Sequence, residues 1–88
     1  MNKEEVEKIL LGKTWKFAKT MKSIPHSYTL EMNWDDKDLF KKVAEYIKEN
    51  GETEYFWGKP FKYYYFGGHK YWAMKIKGGT GIINRAQV

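Results

Sequence analysis

Residues 61–74 read FKYYYFGGHKYWAM. Two aromatic runs flank the pair Gly67-Gly68, and that arrangement decides the fold. Aromatic side chains suit a pleated, half-buried strand. Two adjacent glycines supply the left-handed backbone that a two-residue hairpin turn demands. With the glycines as the turn, Phe66 faces His69, Tyr65 faces Lys70, Tyr64 faces Tyr71, Tyr63 faces Trp72 and Phe61 faces Met74. Side chains alternate along a strand, so one face carries Phe61, Tyr63, Tyr65, Trp72 and Met74. The other carries Lys62, Tyr64, Phe66, His69 and Tyr71. We expect a helix to cover the first face and the second to lie away from it. A slip of one residue would exchange every partner, so the register hangs on the turn.

Working outward, Glu52 to Trp57 predicts a strand before Phe61 to Phe66, with Gly58-Lys59-Pro60 between them. Lys77-Gly78-Gly79-Thr80-Gly81 reads as a second glycine-rich turn, and Gly81 to Arg85 as a last strand. Its Ile82 and Asn84 fall on one face, Ile83 and Arg85 on the other. Near the N-terminus, Trp15 and Phe17 alternate with Lys16 and Ala18 at strand period. Pro25 interrupts, and Ser27 to Met32 resumes a strand. The clearest helix runs from Asp36 to Asn50, with Leu39, Val43 and Ile47 in one row beside Phe40 and Ala44. Asp35 is the expected N-cap, and Gly51 the expected left-handed stop. A shorter helix spans Asn2 to Leu11 and ends at Gly12. The expected fold is therefore α+β: a single small domain over residues 1–88. An antiparallel β-sheet of about four to six strands packs against one amphipathic helix, with a short N-terminal helix beside it.

The chain has 88 residues, no cysteine and a net charge of +5. Disulfides and thiolate metal sites are excluded, which suits a reducing compartment. No apolar run approaches the roughly 20 residues that span a bilayer, and the first residues, MNKEEVEK, are charged where a signal peptide is apolar. These features predict a soluble cytoplasmic protein with no membrane partner. Charge is segregated along the chain. Residues 13–29 hold four lysines and no acid. Residues 30–54 hold eight acids and four lysines. Residues 55–88 hold five lysines, Arg85 and no acid. One-sided basic segments attract nucleic acid, phosphorylated ligands or an acidic protein.

Three constellations could carry function. Lys62, Tyr64, Phe66 and Tyr71 combine aromatic rings with a cation, the composition of a platform for single-stranded nucleic acid. The plainer alternative is that these rings cover a buried layer, under the first helix or in a dimer. His26 lies among Lys19, Thr20, Ser27 and Tyr28, where an imidazole near a hydroxyl could act as a base and a lysine could hold an anion. A turn histidine bonded to backbone is the ordinary alternative. Arg85 is the chain's only arginine. Its planar fork suits a phosphate or carboxylate, and Asn84 precedes it; a guanidinium stacked on a core tryptophan is the structural alternative. No second histidine stands at metal-ligand spacing, and no phosphate-loop or hydrolase signature is present, so no metal or cofactor is expected.

The stretches WKFAKTM, IPHSYTL, YWAM and IINRA resemble those of a group of small uncharacterised bacterial and phage-borne proteins. The resemblance covers most of the chain apart from the first helix and carries no activity. It implies a cytoplasmic, mobile-element setting, and it groups Lys19, Thr20, Pro25, His26, Tyr28, Asn84 and Arg85 in one pattern. The leading expectation is a non-enzymatic module that binds an anionic partner, above all nucleic acid. Its surface would comprise Lys16, Lys19, Thr20, Lys22, His26, Tyr28, Lys62, Tyr64, Tyr71, Asn84 and Arg85. The alternatives are a small enzyme or nucleotide-binding protein using His26, Tyr28 and Arg85, and a phage factor that occupies a host protein.

Overall fold

A computed structural model describes residues 1–15, 27–28, 36–77 and 80–88; at 27–28, 74–77 and 80 the description is of the backbone. The elements run α1 (Lys3–Gly12), β1 (Ser27–Tyr28), α2 (Lys37–Asn50), β2 (Glu52–Phe56), β3 (Lys59–Phe66), β4 (His69–Lys77) and β5 (Thr80–Gln87). Four long strands and the two-residue β1 form one antiparallel sheet in the order β1-β5-β4-β3-β2. The protein is a small α+β domain, as the periodicities predict.

Each helix is opened by a side-chain cap. Asn2 Oδ1 accepts from the Glu5 amide at 2.9 Å. Asp36, one residue later than expected, accepts from the Leu39 amide at 3.0 Å. Such caps satisfy amides that have no partner within the helix, each worth about 1 kcal/mol. Helix α2 buries Phe40, Val43, Ala44 and Ile47, and α1 buries Val6 and Leu10.

Gly51 closes α2, but not in the left-handed conformation; its φ is −76° and its amide donates to the Ile47 carbonyl at 2.8 Å. A close approach is what demands glycine. A β-carbon there would lie 2.5 Å from the Ile47 carbonyl oxygen and 3.1 Å from that of Tyr63, where β3 passes the helix end.

The central hairpin has the expected register: Tyr64 pairs with Tyr71, Tyr65 with Lys70 and Phe66 with His69. Gly67 and Gly68 take φ of 60° and 79°, the two positive values of a type I′ turn. The preceding hairpin differs from expectation. Its turn is Trp57-Gly58, with φ of 55° and 77°, and Lys59 and Pro60 belong to β3, paired with Phe56 and Tyr55. β3 thus pairs with β2 along Lys59–Tyr63 and with β4 along Tyr64–Phe66. At the far end, Lys77 pairs with Thr80, so β4 and β5 also form a hairpin. Of the expected N-terminal strands, Lys16–Ala18 and Thr29–Met32 lie outside the described residues.

The two sheet faces are exchanged relative to expectation. Tyr64, Tyr71 and Ile83 join Val6, Leu10, Phe40, Val43, Ala44 and Ile47 in the main core, with Phe66, Trp15 and Tyr46 packed against it. Tyr63, Trp72 and Ala86 form a separate cluster on the opposite face, flanked by Phe61. Period-two alternation separates the faces but does not say which meets the helices when both are aromatic. Here the face with three ring residues and Ile83 fits the aliphatic stripe of α2.

Gly51→Ala is expected to lower stability by about 1–3 kcal/mol, through the clash with two carbonyls. Gly12→Ala, where a β-carbon meets nothing within 4 Å, is the control and should change stability by less than about 0.5 kcal/mol. Urea unfolding of both variants checks this.

Candidate anion-binding site at Arg85

The site grows from β4 and β5. Their register sets Tyr71 opposite Arg85, and residues paired across a ladder share a face. Both therefore point toward the helices. Tyr71 is only 1% exposed. Its ring stacks on Phe66, with centroids 4.8 Å apart and planes 16° apart, and meets the edge of Trp15 at 5.5 Å. Trp15 follows α1 and is anchored by its indole nitrogen, which donates to the Leu10 carbonyl at 2.8 Å.

The half-buried Arg85 guanidinium lies over this same indole, 4.8 Å from the ring centroid. Its positive charge also acts on the Tyr71 hydroxyl, drawing its pKa down against the effect of burial. The Trp15 ring thus supports the guanidinium on one side. Its Nε is buried and has no hydrogen-bond partner among the described residues. A buried donor left unmade costs roughly 1–3 kcal/mol, so Arg85 is held here at some expense to stability. On its other side β5 pairs with β1, with Tyr28 opposite Arg85 and Ser27 opposite Ala86. The strand ends that carry the sequence pattern around Tyr28 and Arg85 are neighbours.

His69 is half-buried and flanks the cluster, its ring 6.3 Å from that of Tyr71. Its Nδ1 lies 3.2 Å from the Gly67 carbonyl, which accepts a bond when the proton is on that nitrogen. On the other flank the Tyr64 hydroxyl donates to Glu7 at 3.1 Å, and its ring meets Tyr46 edge-on at 5.5 Å. Burial is the first cause that pushes the Tyr64 hydroxyl well above the ordinary tyrosine range, followed by its bonds to Tyr46 and Glu7. Burial likewise raises Tyr71, against the opposing pull of Arg85.

The proposed stacking platform on this face needs correction. Tyr64 is 7% exposed, and with Tyr71 it belongs to the core under the helices, so neither ring offers a face to a base. Two helices that bury six aliphatic and aromatic side chains against this face leave no room for one. Lys62 is exposed and bonds to the Thr53 hydroxyl, on the hairpin side rather than beside Arg85. Asn84 is fully buried and pairs with Trp72, which puts it on the face opposite Arg85. Lys16, Lys19, Thr20, Lys22 and His26 lie outside the described residues. The stack of Arg85 on Trp15, which packs against the core, is the structural alternative named for this arginine, and it accounts for part of the guanidinium's placement.

Among the described residues, no group of three or more His, Asp or Glu side chains could hold a metal ion, and no helix is long and apolar enough to cross a membrane. Comparison with protein-family models, curated proteins and solved structures found no match.

The raised tyrosines carry a pH dependence. In the unfolded chain a tyrosine ionises near about pH 10. The folded chain holds the Tyr64 and Tyr71 protons to higher pH, so above that point the unfolded state binds fewer protons. Their contribution to stability is full below about pH 10 and is lost as pH rises through the folded values. Tyr64→Phe should make the alkaline loss shallower while costing about 1 kcal/mol at neutral pH through the lost bond to Glu7. Denaturant unfolding between neutral and alkaline pH measures both effects.

Proposed function

We propose that the protein is a non-enzymatic binding module for a phosphate-bearing polyanion, and that nucleic acid is its partner. The observation that carries this is Arg85: a half-buried guanidinium placed over Trp15, with a buried Nε that has no hydrogen-bond partner among the described residues. A pre-oriented fork is the group that recognises a phosphate oxygen pair. The charge distribution supports the same partner, since residues 55–88 hold six basic residues and no acid. Lys16, Lys19, Lys22 and His26 would extend the contact along the chain leading into β1.

A second reading shares the same fork. The pairing of Tyr28 with Arg85 favours a small phosphorylated ligand, such as a nucleotide, held between β1 and β5 with His26 close by in sequence. A cytoplasmic, phage-borne setting would accommodate either.

Fluorescence polarisation with labelled oligonucleotides at low salt tests the proposal. Affinity should fall linearly in logarithmic terms as salt rises, because phosphate contacts release counterions. Arg85→Ala should weaken binding at least about tenfold, the worth of one charge-assisted bond, and reduce the salt slope by about one phosphate contact. Arg85→Lys should recover the slope but not the full affinity. Absence of binding at low salt would sink the proposal, and competition by a mononucleotide at micromolar concentration would favour the second reading.

A further inference from the structure

The β2–β3 hairpin presents a surface that the Arg85 site does not use. Trp57 sits at its turn with φ of 55°, a conformation that bulky residues rarely take, yet the side chain is 86% exposed. Its ring meets that of Phe56 edge-on at 6.4 Å but stays largely open to solvent, which suits a side chain displayed for a partner. Tyr55, paired with Pro60 across the hairpin, is 74% exposed. Strand alternation places both hairpin carboxylates on one side. Thr53, Tyr55, Pro60 and Lys62 share one side; Glu52, Glu54, Phe56, Lys59, Phe61 and Tyr63 share the other. The Glu54 carboxylate is engaged there by the Tyr65 hydroxyl.

Beside the first side a groove of about 350 Å³ opens between the end of α2 and β3. Ile47, Pro60, Phe61, Trp72 and Ala73 supply its apolar lining and Lys48 and Lys62 its charge; among the described residues no acid lines it. That volume lies within the roughly 300–1,000 Å³ of small-ligand clefts. The α2 acids Glu45 and Glu49 line a different recess, with Met1, Lys42 and Tyr46. Lys62 is already oriented by its bond to Thr53, and an ammonium has two further protons to donate.

We propose that this side of the hairpin is a stacking subsite for single-stranded nucleic acid. Bases stack on Tyr55 and Trp57, a neighbouring base enters the apolar groove, and Lys48 and Lys62 hold the phosphate between them. Charge complementarity selects the occupant: exposed rings beside two lysines, with the hairpin's carboxylates on the far side. Stacking requires an unpaired base, so the subsite discriminates against duplex. The inference rests on the nucleic-acid reading above and narrows its substrate to single strands.

The test titrates a labelled 12-nucleotide single strand and its duplex against the wild type, a Tyr55→Ala/Trp57→Ala double variant, Lys48→Gln/Lys62→Gln and Arg85→Ala. Both aromatic side chains are exposed, and matching thermal melts would show the fold retained. The double aromatic variant should lose at least about tenfold in single-strand affinity, in line with stacking, and change duplex affinity less than about twofold. Trp57→Phe in place of the alanine should restore part of the loss. The lysine pair should lower the salt slope for single strands. An unchanged single-strand affinity in the aromatic variant, or an equal loss for both strand forms, overturns the subsite while leaving nucleic-acid binding in place. Loss in the aromatic variant with none in Arg85→Ala supports the subsite and removes Arg85 from the interface. A wild type that binds neither strand form overturns both proposals.

Discussion

Tyr71 is the point through which the rest of the structure is tied. It stands in the centre of the sheet, stacked on Phe66, edged by Trp15 and reached by the Arg85 charge. A large ring buried on this scale contributes area that few aliphatic residues could match in so short a chain. Its hydroxyl feels the Arg85 charge, which opposes the upward push of burial on its pKa. One residue therefore links the aliphatic core of the helices to the half-buried charge on β5. Packing and candidate function meet at the same ring.

The aromatic richness of the chain has a structural use on both sides of the sheet. The helix-facing side uses Tyr64, Phe66 and Tyr71 to fill space under α1 and α2. The opposite side gathers Phe61, Tyr63 and Trp72, with Lys70 placed 4.7 Å over the Tyr63 ring. Rings at these positions stabilise cross-strand pairs and need no ligand to explain them. At the β2–β3 tip Trp57 meets Phe56 edge-on, yet it and Tyr55 keep most of their surface open to solvent. Composition alone makes all of these aromatics look alike; burial separates those that hold the domain together from those available to a partner.

Much of the architecture was legible from local chemistry. The Gly67-Gly68 pair dictated the central hairpin register, because few other residues take positive φ twice in succession. The row Leu39, Val43, Ile47 located α2 to within a residue at its start. The turn at Trp57-Gly58 was not legible, since tryptophan is a poor candidate for that backbone and Gly58-Lys59-Pro60 offered a more conventional break. Of the candidate site, the importance of Arg85 could be argued from its rarity, but its support by Trp15 required two segments distant in sequence to meet.

The sequence by itself determined the class of fold, the helices, the central register and the segregation of charge, since each depends on residues close together along the chain. Only the tertiary structure decided which aromatic face lies under the helices, that Asn84 and Arg85 serve opposite faces, and that β1 runs beside β5 to bring Tyr28 against Arg85. The physical reason is that periodicity divides a strand into two sides without naming them. Strand order and helix placement are settled by the fit of whole surfaces, which no single stretch contains.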